Sequence, residues 1–487
     1  MPYGKMRALS GLRLVLPAAA AVLLFFLCGC AVPDSPEKSF YIDLNEYPLY
    51  VKEGFDPAGI SASPNLSDGS WYVRMPGEQS SMRIVKFLGP RTPRRFFLSP
   101  FEEESREYTM IMPFDLSAEQ FKKINGDELF LPGIFFAALG DNWALFLNGR
   151  PVRSEIHLDG DGQIRSHRSR RYVSSPLDRT WFVPGTNTLA LRIVGEPNGT
   201  DTGLWYSAPY YIGEYEAIRK ESDESLLIAF CTVYIFAGIY HLLHYINRTR
   251  DKYNLYYCLF SILVGIYFFM RGHTVYSLIP DSNISFRIEY ASAFMILPLL
   301  AAFLEHLNLG KIRKVTRICG AICLLLSVAQ GIFPNLFRDD ILYLWWIFLI
   351  VECGYVVVWD VLLVFYRDIR ARRNAAKNDS LPKIFQRSLT ETPLGNILLG
   401  TALAALTGTT DVILAILTKE GSFRFGRFGL LIFTITTTFI LARRFGVLFR
   451  RLDEANLLLE QSNLNLETMV KERTRELEQQ TEVAQSA

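Results

Sequence analysis

The feature that most limits the fold of this chain is a series of seven apolar segments that fills its second half. They lie near residues 226–246, 253–273, 286–306, 318–337, 341–366, 394–417 and 429–449. Each is long enough to cross a hydrocarbon core of about 30 Å as an α-helix. Because a backbone inside lipid must satisfy its own hydrogen bonds, residues 223–450 are predicted to form an all-α bundle of seven transmembrane helices.

Basic residues between these segments alternate in density along the chain. The loops after the first, third, fifth and seventh segments are rich in Lys and Arg, whereas the alternate loops are poor in them. Basic loops stay in the cytoplasm, so the N-terminal part is predicted to lie outside and the C-terminus inside. The expected location is the bacterial inner membrane, as a multi-pass protein.

The N-terminus has the pattern of a secretory leader. Lys5, Arg7 and Arg13 precede an apolar run over residues 14–27, which predicts export of the domain that comes after it in the chain. The run ends in Leu-Cys-Gly-Cys, which resembles a bacterial lipobox with Cys30 as the lipidated residue of a leader spanning 1–30. Cleavage after Ala31 and retention as an uncut anchor are the alternatives.

Residues 35–215 alternate apolar and polar side chains in short runs broken by Gly, Pro, Asn and Asp. This pattern predicts an extracytoplasmic all-β jelly-roll sandwich of eight to ten strands. Asn148-Gly149 between two such runs predicts a type I′ hairpin turn. Residues 31–230 contain no cysteine, so no disulfide framework is expected.

Four side chains of this domain are candidates for binding a carbohydrate or another small molecule. They are Arg150, Trp181, Trp205 and Tyr206. Alternatively, the aromatic residues, with Tyr210 and Tyr211, fill the core of the sandwich. The arginine-rich run 165–171 is interpreted as a solvated loop. Neither a catalytic motif nor a nucleotide-binding or metal-binding motif is found, so we expect a non-enzyme without cofactor, metal or nucleic-acid partner.

Several ionisable side chains fall within the apolar segments. Glu352 and Asp360 lie in the fifth, Asp411 in the sixth, and His241 and His244 in the first. Such groups are expensive at membrane depth and often functional. A secondary transporter would use them for ion coupling, but no inverted repeat is found. Polar contacts between helices are the favoured interpretation.

The polar segment 451–480 retains a helical repeat. Leucines recur every seven residues, and asparagines take the alternate seam position. This favours a parallel two-stranded coiled coil, and hence a homodimeric stem. The predicted seam consists of Leu452, Asn456, Leu459, Asn463, Leu466 and Val470. A lone amphipathic helix is the alternative.

Three sequences in the membrane half resemble one bacterial family. They are Arg-Asp-Lys-Tyr-Asn-Leu-Tyr-Tyr at 250–257, Asp-Val-Ile-Leu at 411–414, and Phe-Gly at 428–429 followed by Leu-Ala-Arg-Arg-Phe at 441–445. Together they resemble the seven-transmembrane receptors with diverse intracellular signalling modules. The exported domain resembles galactose-binding-like jelly rolls.

The resemblance implies a receptor that senses a ligand outside and signals to the cytoplasm. Stems similar to residues 470–477 lead into histidine kinases and cyclases, whereas this sequence stops at Ala487. Signalling through a separate cytoplasmic protein is therefore expected. The alternatives are the N-terminal part of a truncated receptor kinase or cyclase, a membrane-anchored carbohydrate-binding or carbohydrate-processing protein, and a secondary transporter.

Overall fold

The computed structural model describes most of both domains. The described residues are 40–60, 69–76, 105–195, 202–204, 209–333, 338–375, 380, 384–385, 388, 397, 400–401, 407, 410 and 426–486. The predicted leader with Cys30 lies outside them. So do Trp205, Tyr206 and Asp411, and most of the predicted span at 394–417.

Residues 40–214 contain eleven strands in the described segments. They are β1 (Tyr41–Asp43), β2 (Leu49–Glu53), β3 (Tyr72–Arg74), β4 (Arg106–Leu116), β5 (Pro132–Gly140), β6 (Asn142–Leu147), β7 (Arg150–Ser154), β8 (Arg170–Pro176), β9 (Gly185–Gly195), β10 (Gly203–Leu204) and β11 (Tyr210–Glu214). The sequence predicted eight to ten. The excess arises because strands of two or three residues, such as β1, β3 and β10, are too short to carry a readable alternation.

The strands form two antiparallel sheets that pack face to face, which confirms the predicted sandwich. One sheet has the order β1-β11-β5-β10, with β8 also paired to β5, and the other has the order β3-β2-β4-β9-β6-β7. Alternate residues of the long strands fill the core, including Leu189, Leu191 and Ile193 of β9, which are fully buried. The β6–β7 turn is also as predicted, because Asn148 and Gly149 have φ values of +49° and +77° and Leu147 pairs with Arg150.

Helices make up most of the other described residues. They are α1 (Ala118–Gly126), between β4 and β5, then α2 (Tyr215–Glu221), α3 (Ser225–Asn247), α4 (Tyr253–Arg271), α5 (Val275–Leu278), α6 (Ser282–Leu309), α7 (Lys314–Ile332), α8 (Arg338–Tyr355), α9 (Leu363–Ala375) and α10 (Gly426–Ser486). A π-helical segment, Val356–Leu362, joins α8 to α9. Six helices in the described part are long and apolar enough to cross a membrane. The sixth predicted span, 394–417, falls mostly on residues outside that part.

Small residues let α3 and α4 pack closely. A Cβ atom placed on Gly238 would lie 2.5 Å from Cγ1 of Ile262, and one on Gly265 would lie 3.2 Å from the carbonyl oxygen of Cys231. Close backbone approach is the usual role of glycine between membrane helices. The buried His241 adds a polar contact, with Nδ1 3.0 Å from Oδ1 of Asn254. The histidine therefore serves helix packing, as the favoured interpretation expected.

Helix α10 joins the membrane bundle to the predicted stem without a break. Its 61 residues correspond to a length of about 90 Å. Its first turns are tied to α3 and α4, because Tyr234 donates to the carbonyl of Arg427 at 3.1 Å and Tyr257 to that of Thr434 at 2.8 Å. Beyond the bundle the apolar stem residues are exposed in the single chain. Leu459 and Val470, for example, are 64% and 62% exposed.

Candidate functional site

The loop between β7 and β8 docks on the start of α6. The backbone N–H of Ser282 donates to the carbonyl of His167 at 3.0 Å, and the N–H of Ser169 donates to Oγ of Ser282 at 3.1 Å. Asp281 accepts from the N–H of Asn283 as the N-cap of α6, and its other oxygen accepts from Ser166 and His167, each at 3.3 Å. One carboxylate therefore caps a membrane helix and holds the sandwich on it.

The arginines of this loop reach the same helix start. Arg168 and Arg170 donate to the carbonyl of Pro280 at 3.3 and 3.0 Å, and the guanidinium of Arg170 lies 4.5 Å from the ring centre of Tyr276. The interpretation of residues 165–171 as a solvated loop was therefore wrong. Arg170 and Arg171 are buried, and Arg165 alone among the four arginines of the run is exposed.

At the centre of this junction one carboxylate is shared by two guanidinium groups. Oε2 of Glu289, on α6, lies 2.8 Å from Nη1 of Arg171 on β8, and its Oε1 lies 3.2 Å from Nη1 of Arg271 at the end of α4. The carboxylate is 1% exposed. Burial alone would lower the pKa of Arg171, but the charge and hydrogen bond of Glu289 raise it above its ordinary value. We call Arg171, Glu289 and Arg271 the junction triad.

Two further carboxylates of the sandwich hold the docking loop in place. Glu155 lies 2.6 Å from Arg153 and 3.5 Å from Arg170. Burial alone would raise the pKa of Glu155, but the hydrogen bond from Arg153 and the charge of Arg170 hold it below its ordinary value. Asp141, between β5 and β6, lies 2.5 Å from Nδ1 of His167 and accepts from the N–H of Arg168 at 3.0 Å. These contacts orient the arginine side chains toward α6.

A second contact fixes the outer ends of α3 and α4 to each other. Glu224, immediately before α3, accepts from the backbone N–H groups of His273 and Thr274 at 2.6 and 2.9 Å. Because α4 carries Arg271 at its outer end and Tyr257 near its other end, it contacts both the junction triad and α10. Hydrogen bonds and ion pairs thus connect the sandwich to α4 and α4 to α10.

Of the four predicted ligand residues, the structure describes Arg150 and Trp181, and these two lie together. The guanidinium carbon of Arg150 lies 5.8 Å from the ring centre of Trp181, and this half-buried tryptophan packs against the core. Tyr210 is buried in the sandwich core, as the alternative expected, whereas Tyr211 is buried in a separate cluster with Phe135 and Ile218 of α2. Close by, the outer face of β6, β7 and β9 has a shallow groove of about 510 Å³ bordered by Phe146, Arg153 and Arg192.

Residues 223–375, from α3 to α9, match the family described as 7TM diverse intracellular signalling. The membrane domain is similar to that family over the matched residues. With the six apolar helices, this similarity shows a multi-pass membrane protein. None of the curated proteins matches this chain.

The matched part of the 7TM diverse intracellular signalling domain includes Arg271 and Glu289, two of the three residues of the junction triad. Sequence reasoning missed both, and also Asp281. The local signal was a carboxylate, Glu289, less than one turn into the apolar segment 286–306, where an ionisable residue indicates a partner or a function.

Solved structures similar to parts of the chain are glycoside hydrolases. They include a β-glycosidase from Bacteroides vulgatus (14% identity, 36% of this chain and 20% of that chain, TM-score 0.23) and a glycosyl hydrolase family 2 member from Bacteroides cellulosilyticus DSM 14838 (15%, 36% and 20%, 0.23). A β-glucuronidase from Ruminococcus gnavus also matches (13%, 36% and 29%, 0.21). The chain thus spans less than a third of the length of each of these enzymes.

Proposed function

We propose that this protein is a receptor that binds a carbohydrate or another small molecule outside the cell and transmits the event to a dimeric cytoplasmic stem. The observation that carries this proposal is the junction triad. Glu289 binds one arginine of the sandwich and one of α4, so a shift of the sandwich changes the contacts of the membrane helices.

The energetics of the triad favour a switch between discrete arrangements. Removing one partner of a buried ion pair costs about 3–5 kcal/mol, because the remaining charge is left uncompensated. Intermediate positions that stretch the contacts are therefore disfavoured relative to a fully paired alternative. A ligand that binds one arrangement more tightly shifts the population toward it, by no more than its difference in affinity.

Helix α4 is the element that would carry this shift inward. It holds Arg271 at its outer end, and Tyr257 donates to Thr434 of α10 at 2.8 Å. A displacement of α4 moves α10, and α10 continues into the stem. Two stems held close by their membrane domains have a high effective concentration, so a weak coiled coil suffices for pairing. A separate cytoplasmic protein would bind the stem and respond to its arrangement, so this chain itself need not catalyse a reaction.

A variant that removes the charge of Glu289 but keeps the size of its side chain tests the proposal. In full-length receptor reconstituted in liposomes, with the native cysteines replaced, single cysteines at positions 459 and 460 report the seam by cross-linking between subunits. Glu289→Gln should change the ratio of the two cross-linking yields, because the neutral amide cannot hold both arginines. Glu216→Gln is the control, since Glu216 pairs with Arg219 on the exposed surface of α2.

An unchanged ratio in folded Glu289→Gln receptor would contradict signal transfer through the triad. Folding is checked by the melting temperature of the receptor in detergent. A changed ratio in both variants would mean that any loss of charge on this side disturbs the stem, and would also count against the proposal.

Ligand binding is tested by thermal shift of the full-length receptor against a panel of mono- and oligosaccharides. A ligand at 100 times its dissociation constant stabilises the folded state by about 2.7 kcal/mol. Trp181→Ala should abolish the shift if the Arg150–Trp181 pair forms the ligand site. A melting-temperature shift that persists in this variant would mean that the ligand binds elsewhere. If no sugar of the panel shifts the melting temperature of the unmodified protein, none of these sugars is the ligand.

A further inference from the structure

The membrane domain contains a second buried charge cluster at the end of the bundle away from the sandwich. It has three carboxyl groups and one guanidinium: Glu305 of α6, Glu352 of α8, Asp360 of the π-helical segment, and Arg313 immediately before α7. The three acids are at most 2% exposed. The cluster plays no part in the junction triad or in the contacts of α10 described above.

Hydrogen bonds are distributed unequally among the three carboxyl groups. Glu305 accepts from the N–H of Arg313 at 2.6 Å, the hydroxyl of Thr316 at 2.8 Å and the hydroxyl of Tyr355 at 2.9 Å. Glu305 is therefore stabilised as a carboxylate. Asp360 has one oxygen on Nη1 of Arg313 at 2.7 Å, and its other oxygen is buried without a partner in the described part of the chain.

Glu352 has the least support of the three. Its Oε1 is buried and reaches no hydrogen-bond partner among the residues that the structure describes. The titratable groups around it are the carboxylate of Glu305 on α6, the thiols of Cys319 and Cys323 on α7, and the thiol of Cys353, the next residue on α8. No cation is among these described groups, and Arg313 is already engaged by Asp360 and Glu305.

Charge balance decides what occupies the site. Among the described residues one guanidinium faces these three carboxyl groups, and if all three were ionised two negative charges would have no counter-charge within that part of the bundle, which is costly in an apolar interior. A metal ion is disfavoured, because the described residues contain no group of three or more His, Cys, Asp or Glu arranged to hold one. A proton on one carboxyl group removes half of this excess negative charge without further ligands.

We infer that Glu352 is a proton-binding site that carries a proton at neutral pH while Glu305 remains ionised. Glu352 lies on α8 just before the π-helical segment Val356–Leu362, a helix irregularity of the kind found at functional sites. Proton occupancy therefore acts on the same stretch that connects α8 to α9.

The test uses infrared spectroscopy on the full-length receptor in liposomes near neutral pH. The carbonyl stretching band of a protonated, buried carboxylic acid should be present in the native protein and lost in Glu352→Gln. Glu305→Gln is the matched control and should keep the band, because Glu305 contributes none. A band unchanged in Glu352→Gln, or lost in Glu305→Gln alone, would overturn the assignment.

A second measurement does not depend on any variant folding. Dicyclohexylcarbodiimide reacts with protonated carboxyl groups in apolar surroundings, and mass spectrometry then identifies the modified residue. Modification of Glu352 and not Glu305 in the native receptor supports the inference. Absence of modification at Glu352, or protection of it by sodium ions at constant pH, would contradict it. Neither measurement involves the junction triad, so failure here is distinct from failure of the proposed signalling function.

Discussion

At the scale of single residues, Glu289 has the largest expected effect, because two arginines from different domains depend on it. Glu289→Ala leaves Arg171 buried without its partner, so we expect the free energy of unfolding to fall by about 3–5 kcal/mol. Glu216→Ala removes an exposed pair and should change it by no more than about 1 kcal/mol. Thermal unfolding of the full-length receptor in detergent measures both, and equal effects would contradict the buried role of Glu289.

The hairpin turn gives a second prediction at this scale. Gly149 has a φ of +77°, which a β-branched residue adopts only with strain, so Gly149→Val should destabilise the protein by roughly 1–2 kcal/mol. Gly160→Val is the control, since Gly160 lies in an exposed turn without positive φ and a Cβ there meets nothing within 4 Å. A melting temperature for Gly149→Val no lower than that of the control would argue against the strain.

The hairpin turn and the junction triad differ in how far the sequence alone could predict them. A type I′ turn needs only two neighbouring residues that accept positive φ, and Asn148-Gly149 supplies both, so the turn was predicted from the sequence and is confirmed by the structure. Arg171 carries no such information, because its partner Glu289 is 118 positions away. A run of arginines resembles a solvated loop whenever its acceptors come from another domain, so the junction could be found only in three dimensions.

At the scale of elements, α3 and α4 depend on their glycines for close packing. Gly238→Leu forces a branched side chain against Ile262, and overpacking of this kind costs about 1–3 kcal/mol. Gly331→Leu on α7 should be nearly neutral, because a Cβ there points into open space. The melting temperatures of the two variants in detergent test this prediction. A Gly238→Leu variant that melts at the same temperature as the unmodified protein would mean that α3 and α4 separate easily.

The predicted partner of the stem is the stem of a second copy of this protein, and the structure contains one copy. If α10 pairs in parallel through the predicted seam, cysteines replacing Leu459 and Leu466 should cross-link between subunits, and cysteines replacing Glu460 and Glu467 should do so much less. Equal yields at all four positions would rule out a defined seam. The heptad repeat predicts which face pairs, but its continuity with the last membrane helix was not evident from the sequence, where arginines 443, 444, 450 and 451 mark a boundary.

At the scale of the whole molecule, orientation in the membrane is the remaining prediction. Alkaline phosphatase is active only outside the cytoplasm, so a fusion after Arg451 should be inactive and a fusion after Ile279, in the loop beside the sandwich, should be active. The opposite result for both would reverse the topology and place the sandwich in the cytoplasm. The charge pattern predicts the orientation without any knowledge of tertiary contacts, because insertion depends on loop composition alone.

The unbroken helix α10 makes the angle between the bundle and the stem a property of chain length. Each added residue turns the distal stem by about 100°, whereas seven residues bring it almost back to its starting angle. Insertions placed after Arg451 should therefore alter the cytoplasmic output in a periodic manner, with two residues turning the stem by about 200° and so nearly reversing the face presented, and seven nearly restoring it. In a receptor built in this way, the rotation of the stem about the axis of α10 relative to the bundle sets the output without ligand. Small insertions or deletions in the stem can therefore change that output while the ligand site stays the same.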